Sequence, residues 1–134
     1  PENSFVAKFI GENNTMEGVI RELIGDFAKV ELDGGEVIAC KAINVSMPGE
    51  RTRVSIRPER VEFDTNRLKS EAHILKAEVL EFIYMGDIFR TRLRVAGNDE
   101  FVVKTRNAPD QIRLEPGTKV EIGLLPSDCR ALDA

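Results

Sequence analysis

Pro48-Gly49 opens a run that closes at Pro58, and Pro116-Gly117 opens a run of equal length that closes at Pro126, 68 residues further along a 134-residue chain. Superposed, the two runs pair Arg51 with Lys119, Val54 with Ile122 and Ile56 with Leu124. A charged position and two core-type positions thus recur at equal distances from each turn. A strand template used twice constrains architecture before any single motif does. It argues for two similar β units rather than one large sheet layered with helices.

The rest of the chain extends the duplication. Gly18 to Leu23 and Phe27 to Leu32 read as strands split by Gly25-Asp26, and Asp33-Gly34-Gly35 turns the chain into Glu36 to Cys40. Arg51 to Arg57 alternates Arg51, Arg53, Ser55 and Arg57 against Thr52, Val54 and Ile56, giving one basic face and one core face. Ile74 to Tyr84, Ile88 to Val95 and Glu100 to Thr105 repeat the order around Gly86-Asp87 and Gly97-Asn98-Asp99. The expected fold is all-β: two small OB-type barrel lobes, preceded by one short helix. The helix rests on Phe5 with Phe9 and Val6 with Ile10 at i,i+4 spacing before Gly11. The expected division is residues 1–12 as connector, 13–63 as first lobe, 64–73 as linker and 74–134 as second lobe, with strands free to cross between lobes. A lobe this small is marginal alone, so a shared core is expected.

Composition narrows the function classes. No apolar run approaches the roughly 20 residues that span a bilayer, and no basic and apolar leader stands at the start. The chain opens on Pro1, which reads as a piece of something longer. Cys40, Cys129 and the single His73 lack the spacing of a zinc site. Free thiols in a reducing setting are expected in preference to a disulfide. No phosphate-binding glycine loop, nucleophile elbow or zinc-protease helix occurs. Glu12, Glu17 and Glu22 read as scattered surface charges, so the chain is expected to carry no catalytic residue, no metal site and no cofactor of its own.

Two arginine stripes are the most distinctive chemistry. Arg51, Arg53 and Arg57 line one strand face, and Arg90, Arg92 and Arg94 another. Such stripes read first as solvated strand faces paired with Glu and Asp neighbours, then as a protein or domain interface, and on an OB-type barrel they could also bind phosphates or a small oxyanion. A net charge of −4, the absence of Trp and a single Tyr weigh against nucleic acid, which needs stacking platforms between the charges. Arg57-Pro58-Glu59 ends its strand with a residue that lacks a backbone donor, flanked by opposite charges; its counterpart is Leu125-Pro126-Ser127. The corner therefore reads either as a strand terminator with a local ion pair or as part of an interface.

Three segments in order carry a resemblance: Phe5-Val6-Ala7-Lys8-Phe9-Ile10-Gly11-Glu12-x-Asn14, Ile56-Arg57-Pro58-Glu59, and Tyr84-Met85-Gly86-Asp87. Together the chain resembles the C-terminal regulatory part of the ATP-binding subunits of bacterial ABC importers. This is the transport-associated OB-type (TOBE) region, and the spermidine/putrescine branch is most similar. The resemblance implies an upstream ATPase domain that holds ATP and Mg, with Phe5, Val6, Phe9 and Ile10 packing the connector onto it. It further implies a homodimer, inner-membrane permease subunits as partners through the parent protein, a cytoplasmic place on the inner face of the membrane, and a regulatory protein or small effector as a further partner. Arg57, Pro58, Glu59, Arg51 and Arg53 are the candidate interface residues. The competing readings are a free-standing OB-type nucleic-acid binder and a small-ligand or oxyanion sensor.

Overall fold

The computed structural model describes residues 12–68, 70–107 and 114–134. The connector helix expected before Gly11, with Phe5, Val6, Phe9 and Ile10, lies outside the described residues.

Nine strands follow in order: β1 (Asn14–Ile24), β2 (Phe27–Leu32), β3 (Val37–Ala42), β4 (Arg51–Ile56), β5 (His73–Tyr84), β6 (Ile88–Val95), β7 (Asn98–Arg106), β8 (Lys119–Leu124) and β9 (Arg130–Asp133). Three single turns of 3-10 helix interrupt them: η1 (Pro58–Arg60), η2 (Thr65–Arg67) and η3 (Pro126–Asp128). β1, β2, β3, β9 and β4 close into a barrel, while the second half forms a four-stranded sheet in the order β7-β6-β5-β8. The apolar alternation read from the sequence is what the strands bury. Met16, Ile20, Val30, Leu32, Ile38, Val54 and Ile56 fill the first half, and Leu75, Val79, Leu93, Phe101, Val103, Ile122 and Leu124 the second, all in one continuous core.

The repeated Pro-Gly turns have the same geometry. Gly49 and Gly117 take φ of 90° and 91°, a region glycine enters without steric cost, as the second central position of a proline-led type II turn requires. Each turn then bonds to the middle of the first strand of its own half. Gly49 N–H donates to Ile20 O and Gly117 N–H to Val79 O, both at 2.7 Å. The pairing register slips at these places too, between Ile20 and Glu22 in β1 and between Val79 and Glu81 in β5. A bulge adds twist and bends the strand, which lets one long strand serve two neighbours.

Each half ends inside the other. β9 follows η3 at the end of the second half, yet pairs with β4 (Arg130↔Ser55) and in parallel with β3 (Lys41↔Arg130). Shifted by the same 68 residues, Glu62 follows η1 and exchanges both backbone bonds with Gly123 of β8, at 2.8 and 3.1 Å. η3 packs on β3, and η1 on β7.

β1 starts at Asn14, four residues before the expected Gly18, because its head is needed in the other half. Asn14 is buried, donates to Val102 O and accepts from Val102 N–H, both at 2.7 Å, so it satisfies backbone groups of the edge strand β7. His73 holds the equivalent place at the head of β5: Asn14 pairs with Ile56 and His73 with Leu124. His73 likewise reaches the third strand of the opposite half, its Nε2 accepting the Ala39 N–H at 2.8 Å. The hairpin turns of the halves also meet, with a side chain at Gly34 destined to lie 3.3 Å from the Ala96 Cα.

Replacing Asn14 by Leu leaves a buried N–H and C=O of Val102 without partners, a cost of about 2–4 kcal/mol that urea unfolding will measure. His73 yields a pH signature. Burial pushes its imidazole below the usual 6.5, and the bond it accepts from Ala39 uses a neutral ring nitrogen. The unfolded chain therefore takes up the proton first as pH falls. Stability is fully present above 6.5 and declines as pH drops below it. In His73→Gln, which keeps an acceptor but does not titrate, the decline between pH 6.5 and the carboxylate range is expected to flatten.

Candidate functional site

The head of β1 is held by three consecutive contacts to β6 and β7. Arg90 and Lys104 are directly opposed in the β6–β7 ladder, two cations that repel unless an anion stands between them. Glu12 is that anion. Its Oε2 takes the Arg90 guanidinium and its Oε1 lies 3.0 Å from Lys104 Nζ. Asn14 then grips Val102, and Asn98 Nδ2 donates to Thr15 O at 2.7 Å. Side-chain exposure is only 10% for Glu12, 11% for Arg90 and 21% for Lys104, so these charges are far less screened than those on the rest of the surface. Burial alone would raise the Glu12 carboxyl; the bonds and charges of Arg90 and Lys104 overcome it and hold the group below the usual carboxylate range.

Glu12 was expected among the surface charges, and the structure corrects this. Residues 12–15 lead into β1 and tie its head to β6 and β7. The signal available in the sequence was Glu12-x-Asn14, two polar residues at strand spacing ahead of an apolar alternation.

Arg57-Pro58-Glu59 lies beside this seat. Pro58 is buried at the start of η1, against β7, while Arg57 Nε donates to Glu59 Oε2 at 3.1 Å on the exposed side. The Glu59 carboxyl is lowered by its own backbone N–H first, then by Arg57, against a raising effect of burial, and it also feels the charge of Lys104. Arg51 and Arg53 stand elsewhere, on the outer face of the barrel. Arg51 forms a forked pair with Asp33 at 2.9 and 3.0 Å, and Arg53 bonds its cross-strand neighbour Glu17 at 2.7 Å.

The second stripe divides. Arg90 turns to Glu12, Arg92 to Glu81 and the Asp99 carbonyl, and Arg94 to Asp99 and Glu78. Each stripe arginine therefore meets a carboxylate of this chain, and an external phosphate or oxyanion would have to displace it. No group of acidic, His or Cys side chains suited to a metal ion occurs among the described residues, and no helix among them is long and apolar enough to cross a membrane.

A family model described as the TOBE domain matches residues 54–132. The chain belongs to the TOBE domain family. Among curated relatives it is 31% identical to the spermidine/putrescine import ATP-binding protein PotA of Roseobacter denitrificans, over 98% of this chain and 36% of that protein. The PotA of Chromobacterium violaceum is 36% identical over 66% of this chain and 25% of its own length. This TOBE chain thus spans about a third or less of the length of such relatives. Among solved structures, the cytoplasmic molybdate-binding protein ModG, with molybdate bound, superposes with a TM-score of 0.72 over 90% of this chain and 96% of its own, at 17% identity. That likeness is one of fold.

The Glu12 seat predicts a second pH effect of definite sign. Its depressed carboxyl contributes stability that is present above the ordinary value of 4.5 and lost as pH falls below it. The stability difference between the native chain and Glu12→Gln, followed by urea unfolding, is expected to be largest near neutrality and to shrink steadily below pH 4.5.

Proposed function

We propose that this TOBE domain is the regulatory and dimerisation part of the ATP-binding subunit of an ABC importer for polyamines or related small solutes. The carrying observation is the alignment of nearly the whole chain with one part of proteins named as spermidine/putrescine import ATP-binding proteins, of which it spans about a third. In this reading an ATPase domain upstream binds ATP and Mg, the chain itself carries no catalysis, and two copies meet in the working subunit pair. Permease subunits hold that pair at the inner face of the cell membrane.

Coupling requires that the domain bind differently in two states of the ATPase pair, or that an effector do so. The seat at residues 12–15 suits such a role. A connector entering there pulls on β6 and β7 through Glu12, Asn14 and Thr15, not on a loose tail. Arg57 and Glu59, exposed beside the seat, are placed to contact the ATPase domain or the second copy. The stripe arginines engaged by carboxylates favour this reading over a phosphate-binding one.

Reading the coding sequence upstream of Pro1 is the first test, and absence of a phosphate loop and an ABC signature there would sink the proposal. In the full-length subunit assembled with its permease, Arg57→Ala combined with Glu59→Ala is expected to lower transport-stimulated ATP hydrolysis by about fivefold or more, with the fold intact. Unchanged hydrolysis, transport and dimerisation would remove the corner from the interface.

A further inference from the structure

β3 and β9 run in parallel with Lys41 beside Arg130 and Ala42 beside Ala131. One step back along both strands, Cys40 stands beside Cys129. Both side chains turn into the core with no exposed surface, and the Lys41 N–H donates to Cys129 O at 2.8 Å, fixing the local spacing. Neighbouring strands lie about 4.8 Å apart, which falls within the separation of about 4.4–6.8 Å between Cα atoms that a disulfide can bridge. Both thiols are free and buried.

We infer that Cys40 and Cys129 are a redox-sensitive pair, whose oxidation by a small-molecule disulfide locks the exchanged end strand β9 into the barrel of the first half. One thiolate attacks the small disulfide, forming a mixed disulfide and releasing one small thiol. The other then attacks the protein sulfur, expelling a second small thiol. Two protein thiols and one small disulfide thus become one protein disulfide and two small thiols.

Access depends on β9. It is four residues long and is joined to β3 by two register pairs and to β4 by four, so release of this one short strand is what exposes both sulfurs. The neighbouring Cys129 thiol, and then burial, push the Cys40 thiol far above its usual range, so the closed barrel keeps Cys40 as a thiol. Under reducing conditions the pair rests open, and oxidative load closes it. Bridging positions 40 and 129 ties a loop of 89 residues, long enough to restrict the unfolded chain strongly.

The test incubates the 134-residue chain with excess glutathione disulfide, with and without urea just short of the unfolding transition, followed by denaturing alkylation and mass spectrometry. Expected are a digest peptide linking Cys40 to Cys129, two fewer alkylated sites, and a thermal midpoint raised by about 5 °C or more that dithiothreitol reverses. Cys129→Val is the control. Val61 holds the equivalent place after η1, so valine suits such a site, and this variant is expected to gain no stability and at most one glutathione. Three results would overturn the inference: both cysteines still alkylated after incubation in urea, separate glutathione adducts without a link, or a linked form whose midpoint is unchanged or lower.

Discussion

The side-chain amide of Asn14 does what a backbone usually does: it pairs with both the N–H and the C=O of one strand residue, Val102, on the edge of a sheet built from the other half of the chain. A buried edge without partners would carry the desolvation cost of every unpaired group. By meeting that need from the head of β1, the chain joins two small units into one core. His73 repeats the device at the head of β5 with a ring nitrogen in place of an amide. Neither half is large enough to be securely stable on its own buried surface, so these reciprocal contacts, with the exchanged ends, define the stable unit.

Charge is used in two ways. On the outer faces, arginines meet carboxylates across or along strands in half-exposed pairs, each contributing little to stability but keeping the stripe arginines engaged within the chain. At residues 12–15 the same chemistry is withdrawn from solvent. Removing one partner there would strand the others in a poorly solvated site, so the Glu12 cluster responds more sharply to change than any surface pair.

Much of the architecture was legible because strands announce themselves locally. The alternation of Arg51 to Ile56, the Pro-Gly turns and the Gly-Asp hairpins each depend on residues within a few positions of one another. Glu12, Asn14, His73 and Asn98 were not legible, since their partners lie between 34 and 88 residues away in sequence. The local pattern Glu12-x-Asn14 names no partner, and only the fold shows that Glu12 is buried between two cations while Glu22 is exposed. The segment taken as a linker shows the same limit. His73, its last residue, is the first residue of β5, and its role depends on Ala39 in the other half.

The exchange of end strands also sets an order of assembly. The barrel of the first half is complete only when β9 arrives, and β9 follows every other described strand in chain order. During synthesis the earlier strands must therefore wait, with the β3 and β4 edges unpaired, until β9 has emerged. Long-range closure of this kind slows folding and prolongs the exposure of sticky edges. The second half is not subject to the same delay, because Glu62 is already in place when β8 appears. A duplicated fold that looks symmetric in space is thus asymmetric in time, and the first barrel is the half that waits for a strand from the other.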